Sequence, residues 1–152
     1  MNADKIKLYN EFLFFVRSFE GITHDNCSNL ESLRDGYTFV NIYNQMTNPP
    51  NMFDTSLLRS SKETGDWVPP LFNLCKLYRH IEPEFRSLNI FTHIDLYKIA
   101  NKGDLDQICA FIKMLFYYLL KCPKKEELKP VFQSLPTRTK IVLIGGIKTN
   151  QS

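Results

Sequence analysis

Few side chains in this sequence have the types and spacing that catalysis or metal binding requires. His24 and Cys27 form an isolated HxxC pair, whereas a structural zinc site needs two further ligands. His80 falls in a predicted helix and His93 opens another, and neither belongs to a GxSxG or HExxH motif. We therefore expect no metal, no cofactor and no catalytic residues. The sequence predicts a protein that is not an enzyme.

The segment from Lys140 to Thr149, KIVLIGGIKT, shares an apolar run and glycines with phosphate-binding loops. Such a loop has the form GxxxxGK[ST], in which backbone amides surround a phosphate and the lysine reaches it. Here Ile147 separates Gly146 from Lys148, and the first glycine is missing at the required distance. A degenerate nucleotide-binding protein is therefore the weaker alternative.

Positive charge is concentrated in the second half of the chain. The first 76 residues contain 7 Lys and Arg and 9 Asp and Glu, and the remaining 76 contain 12 and 7. Four lysines form a candidate basic face: Lys121, Lys124, Lys125 and Lys129. The face is either a solvated helix end or a site for an acidic partner such as a tubulin tail or anionic lipid. Glu126 and Glu127 interrupt it and no recognition-helix pattern accompanies it, so we do not expect nucleic-acid binding.

The strongest structural signal is the apolar stretch from Leu105 to Leu120, which predicts a helix that is apolar on nearly every side. Asp104 can cap its start, and Gln107 three residues later completes the sequence pattern of a capping box. The run is interrupted by Lys113 and is shorter than the roughly 20 residues that a bilayer requires. We therefore predict the buried central helix of a domain, and no transmembrane segment.

Helical periodicity also dominates the rest of the chain. Further helices are predicted at Asp4–Phe19, Tyr37–Met46, Asp54–Ser60, Leu71–Ile81, His93–Ala100 and Lys124–Phe132, with a short turn capped by Asn29. The run Lys140–Ile144 has the composition of a strand, but the class of the domain favours a helix that starts at Pro136 and frays at Gly145 and Gly146. The prediction is an all-α bundle of about seven helices.

Two further features concern anchoring and compartment. Trp67, the only tryptophan, immediately precedes a helix whose first turn holds Pro69 and Pro70, and we expect it to anchor that helix. The cysteines are widely spaced and form no CxxC pair, and the polar N-terminus shows no secretory signal. We therefore expect a cytosolic setting without disulfides.

The order of these features resembles a known family. The segments are LFFVRSF at 13–19, SLRDGYTFVNIYNQM at 32–46, Phe53, the pair Asp66-Trp67 before a helix with Asn73 and Leu74, and IDLYKIANKGDLDQICAFIKMLFYYLLKC at 94–122. From about residue 8 to residue 129 the chain resembles the N-terminal domain of the Hook family, a divergent calponin-homology fold also found in Girdin and Daple. It differs where Phe15 replaces the tryptophan common in the family's first helix.

This resemblance implies a cytoplasmic, cytoskeleton-associated interaction module, at microtubules or the centrosome, with a domain at 1–129, a weakly helical extension at 130–147 and a polar tail at 148–152. Hook-type domains bind a helix of the dynein light intermediate chain and are credited with microtubule attachment. Carried over by position, the partner-binding stripe comprises Lys140, Ile144 and Ile147. Lys140 stands where the family has glutamine, and Gly145 and Gly146 make us expect this helix to need its partner. The family's coiled coil is absent, so self-association is left open.

Overall fold

The computed structural model describes residues 3–25, 27–47 and 67–151, with side chains as far as residue 144. The helix predicted at Asp54–Ser60 lies outside these residues, as does Phe53. The described part contains seven α-helices: α1 Ala3–Arg17, α2 Tyr37–Met46, α3 Val68–Ile81, α4 Leu96–Lys102, α5 Leu105–Leu119, α6 Lys129–Ser134 and α7 Thr137–Gln151. Short 3-10 turns cover Leu30–Leu33, Glu82–Glu84 and Arg86–Leu88, and these ranges include no strand. The predicted all-α class is confirmed.

Helix α5 lies at the centre of the bundle, as its all-round apolarity predicts. Phe111 and Phe116 on α5 are both fully buried. The Phe111 ring stacks on Phe39 of α2 with centroids 4.7 Å apart, and the Phe116 ring meets the edge of Phe15 of α1 at 5.6 Å. Since aromatic pairs contribute beyond the area that they bury, these contacts fix α1 and α2 against the central helix.

The predicted cap of α5 is present, but the reciprocal half of the capping box is not. The Asp104 side chain accepts a hydrogen bond from the Gln107 backbone N–H at 3.0 Å. The Gln107 side chain does not return to Asp104; its Oε1 instead accepts the backbone N–H of Asp95 at 2.7 Å. Gln107 thereby connects the start of α5 to the start of α4.

Several helix boundaries differ from the prediction: α1 ends at Arg17 instead of Phe19, and α3 begins at Val68 instead of Leu71. Helix α4 begins at Leu96 rather than His93, because Asp95 is the cap and accepts the Lys98 backbone N–H. The predicted helix Lys124–Phe132 is wrong, since residues 121–128 form turns and α6 covers Lys129–Ser134. Pro130 occupies the first turn of α6, where its missing N–H costs no helical hydrogen bond.

The C-terminal helix α7 packs on α1 and α5. Thr139 and Leu143 are fully buried on its inner side. Glu11 of α1 holds its first turn, because its carboxylate accepts from Thr139 Oγ1 at 3.0 Å and lies 3.3 Å from Arg138 Nε. The helical prediction for 140–144 is therefore confirmed. The predicted fraying at Gly145 and Gly146 is wrong, because α7 continues through both glycines to Gln151.

Candidate functional site

The predicted partner-binding stripe lies along one flank of α7. The Ile144 side chain is 44% exposed, and Lys140 one turn earlier is half-buried. The Lys140 ammonium stands 4.8 Å from the centre of the Phe132 ring of α6, a distance at which a cation attracts an aromatic face. Ile147 lies further along the same helix, and its side chain is beyond the described ones. The structure thus places Lys140 and Ile144 on one helix, with Lys140 against α6.

Ile144 is exposed because its neighbour Leu143 faces the core. Consecutive residues of an α-helix are rotated by about 100°, so the burial of Leu143 and Thr139 directs Ile144 to the rim of the α7 contact. Ile141 lies further round and is 64% exposed. The side chains that hold α7 on the bundle, Thr139 and Leu143, are therefore different from the exposed Ile141 and Ile144.

Two aromatic side chains, Tyr117 and Phe132, lie next to this stripe. The Tyr117 hydroxyl donates to the backbone carbonyl of Ile144 at 3.3 Å, and the Tyr117 ring lies 5.7 Å from that of Phe91. The Phe132 ring packs 5.9 Å from Phe116 of the core. Burial raises the pKa of Tyr117, so its hydroxyl stays protonated and able to donate at neutral pH. We call Lys140, Ile144, Phe132 and Tyr117 the α7 surface.

The candidate basic face is smaller in the structure than its four lysines suggest. Lys121 donates to the Glu84 carbonyl at 3.1 Å, lies 3.6 Å from the Glu84 carboxylate and sits 5.1 Å above the Phe85 ring. This partner lies 37 residues earlier in the chain, so a local reading of the sequence misses it. Lys124, Lys125 and Lys129 have no ion pair among the described residues, and Lys125 and Lys129 are exposed.

The described residues give no structural support to the metal-site and phosphate-loop motifs of the sequence. In the described ranges no three His, Cys, Asp or Glu side chains stand close enough to share a metal ion. The cysteines there are unpaired, and burial raises the pKa of the Cys109 thiol well above its usual range. Residues 140–144 are helical, so the strand that precedes a phosphate-binding loop is not formed.

Trp67 contacts a second helix besides standing at the start of α3. It occupies the position just before α3, but its ring packs edge-on against Tyr97 of α4 at 5.1 Å. The sequence gives no sign of this contact, because the two residues belong to different helices.

Comparisons of the chain with protein-family models, with curated proteins and with solved structures found no match in any of the three. In the described part of the chain, no helix has the length and apolar character needed to cross a membrane.

Proposed function

We propose that this chain is a non-enzymatic interaction module that binds an amphipathic helix of a partner protein at the α7 surface. The observation that carries the proposal is the exposure of Ile144, whose backbone carbonyl accepts from the half-buried Tyr117, one turn after Lys140, which lies over the half-buried Phe132 ring. A partner helix that inserts apolar side chains between these groups removes their remaining surface from water.

The resemblance to Hook N-terminal domains supports a particular partner, the helix of the dynein light intermediate chain. The all-α fold and the buried central helix agree with what that resemblance implies. The proposed role is to couple this chain to dynein in cytoskeleton-dependent transport or microtubule organisation. Lys140, in place of the family's glutamine, supplies a cation to the contact and favours a partner helix with a carboxylate opposite it.

The proposal is tested by measuring the affinity of the full chain for a peptide of the light intermediate chain helix. Ile144→Asp places a charge in the apolar contact, so we expect binding to weaken roughly tenfold or more. The matched control is Phe72→Asp, which puts the same charge on an exposed apolar residue of α3. It should leave this binding unchanged.

Both variants change exposed positions, and far-UV circular dichroism should show unaltered helix content. Equal affinity of the wild type and Ile144→Asp contradicts the α7 surface. Absence of any binding by the wild type contradicts the proposed partner.

A second candidate function is direct attachment to microtubules through the basic face. The observation in its favour is that Lys124, Lys125 and Lys129 have no ion pair among the described residues. Acidic tubulin tails suit such a group of lysines. This candidate differs from the first in depending on charge rather than on apolar burial.

A further inference from the structure

Helix α7 is held on the bundle by helices that lie far away in the sequence. Thr139 Oγ1 donates to the Glu11 carboxylate of α1 at 3.0 Å, and Arg138 Nε lies 3.3 Å from the same carboxylate. Only 15% of the Glu11 side chain is exposed, so this carboxylate is set into the interface between the two helices. Leu143, one turn later, is fully buried where α7 packs on α1 and α5. These contacts are specific in shape and charge, but none of them depends on α1 and α7 belonging to the same molecule.

The covalent connection between α6 and α7 is short and extended. It consists of two residues, Leu135 and Pro136. The proline disfavours helical backbone at the preceding residue, and Leu135 is accordingly extended, with φ −69° and ψ 137°. The two helices therefore cannot continue as one, and α7 reaches the α1–α5 side of the bundle as a separate unit. Short linkers of this kind favour the exchange of a helix between two copies of a chain.

Exchange requires α7 to leave its own bundle, and two features of the helix make this easier. It buries few side chains fully among the described residues, and Gly145 and Gly146 lower its helix propensity. In an isolated molecule the linker keeps α7 close to its site, at an effective concentration in the millimolar range, so a dilute chain closes on itself. When chains fold together at high concentration, α7 meets the same site on a second copy.

We propose that two copies of this chain exchange α7 and form a symmetric dimer. In this dimer α7 of each copy lies on α1 and α5 of the other, with Arg138 of one copy against Glu11 of the other. Both copies then contribute to every α7 surface, because Lys140 and Ile144 come from the exchanged helix and the two aromatic rings come from the copy that receives it. The exchange does not depend on the function proposed for that surface, and its test needs no partner peptide.

Reversing the charges at the contact between Glu11 and Arg138 tests the exchange directly. Glu11→Arg sets two arginines against each other, and Arg138→Glu sets two glutamates against each other, both in the monomer and in a dimer of either variant alone. When the two variants are mixed, a heterodimer with exchanged α7 helices restores opposite charges at both contacts. The variants are unfolded in urea and refolded together at high concentration. Size-exclusion chromatography with light scattering then measures the dimer fraction.

We expect the dimer fraction to be roughly tenfold higher in the mixture than in either variant alone. Hydrogen exchange followed by mass spectrometry should show residues 137–151 protected in the mixed dimer and unprotected in each variant alone. The control carries Glu11→Arg and Arg138→Glu in one chain, which restores opposite charges within the monomer and should match the wild type in both measurements.

The wild type should itself form a dimer whose fraction rises with the protein concentration during refolding. The proposal is overturned by a wild type that refolds as a monomer at every concentration. It is also overturned by a mixture that contains no more dimer than the separate variants, or by a mixed dimer in which residues 137–151 stay unprotected.

Discussion

At the scale of single residues, Asp106 connects the first helix to the central one. Its carboxylate accepts the Tyr9 hydroxyl at 2.8 Å and lies 3.1 Å from the Lys5 ammonium. The hydrogen bond from Tyr9, followed by the contact with Lys5, holds the pKa of Asp106 below its ordinary value. The ionised carboxylate is therefore favoured in the folded protein, and it contributes stability where it is charged.

Replacing Tyr9 by Phe keeps the ring and removes the hydrogen bond. We expect the pKa of Asp106 to rise toward its ordinary value and the free energy of unfolding near neutral pH to fall by about 1 kcal/mol. Because the folded-state pKa is the depressed one, this contribution is present above the ordinary value of 3.8 and is lost as pH falls below it. Urea unfolding of both proteins at neutral and acidic pH checks the sign. If the difference in unfolding free energy between the two proteins is the same at neutral and acidic pH, the contribution assigned to ionised Asp106 is contradicted.

Residue contacts were predictable from the sequence only where both partners are close in the chain. Asn29 and Asp104 cap the backbone N–H three residues ahead, and both caps were predicted. The pairing of Asp106 with Tyr9 spans 97 residues, and that of Lys121 with Glu84 spans 37. Such contacts depend on how the helices pack, which helical periodicity does not specify.

At the scale of elements, α7 is held by few fully buried side chains. Thr139 and Leu143 are the described residues that it buries fully, and Glu11 holds its first turn. Its two glycines together reduce helix propensity by roughly 2 kcal/mol relative to alanine. The helix type was predicted correctly here because the rest of the domain is helical, whereas local propensity alone favours a strand. Helix α6 was predicted wrongly because Pro130 was treated as an interior residue.

Leu143→Ala should release α7 without unfolding the bundle. Removing a fully buried leucine side chain typically costs about 2–5 kcal/mol. Because two glycines already weaken α7, we expect this loss to be met by local release of the helix. Hydrogen exchange followed by mass spectrometry should show lost protection in residues 137–151 and retained protection in residues 105–119. An equal loss of protection in both segments would mean that the whole bundle is destabilised, which contradicts release of α7 alone.

At the scale of the whole molecule, charge divides the chain into an acidic first half and a basic second half. The excess of positive charge is densest from residue 121 onward, with seven basic and two acidic residues as far as Lys148. Of the lysines in the basic face, Lys121 is already paired with Glu84. Long-range attraction to an acidic filament would therefore depend mainly on Lys124, Lys125 and Lys129.

Co-sedimentation with microtubules tests this second candidate function. If the basic face binds tubulin, the bound fraction should fall steeply as ionic strength rises past about 0.1 M, where charges are screened beyond roughly 10 Å. The double variant Lys124→Glu with Lys125→Glu should bind far less at low salt, and Lys121→Gln should change binding little. Salt-independent binding contradicts the electrostatic contact, and so does a variant that sediments like the wild type.

The hydrogen bond between Thr139 and Glu11 joins residues 128 positions apart. Contacts of such separation require the closure of a long loop and are expected to form late in folding. During synthesis, which proceeds from the N-terminus, α1 leaves the ribosome well before the helix that covers Glu11 has been translated. Until then this side of α1 is open to chaperones, so the time taken to translate the intervening residues sets how long the nascent chain stays exposed there.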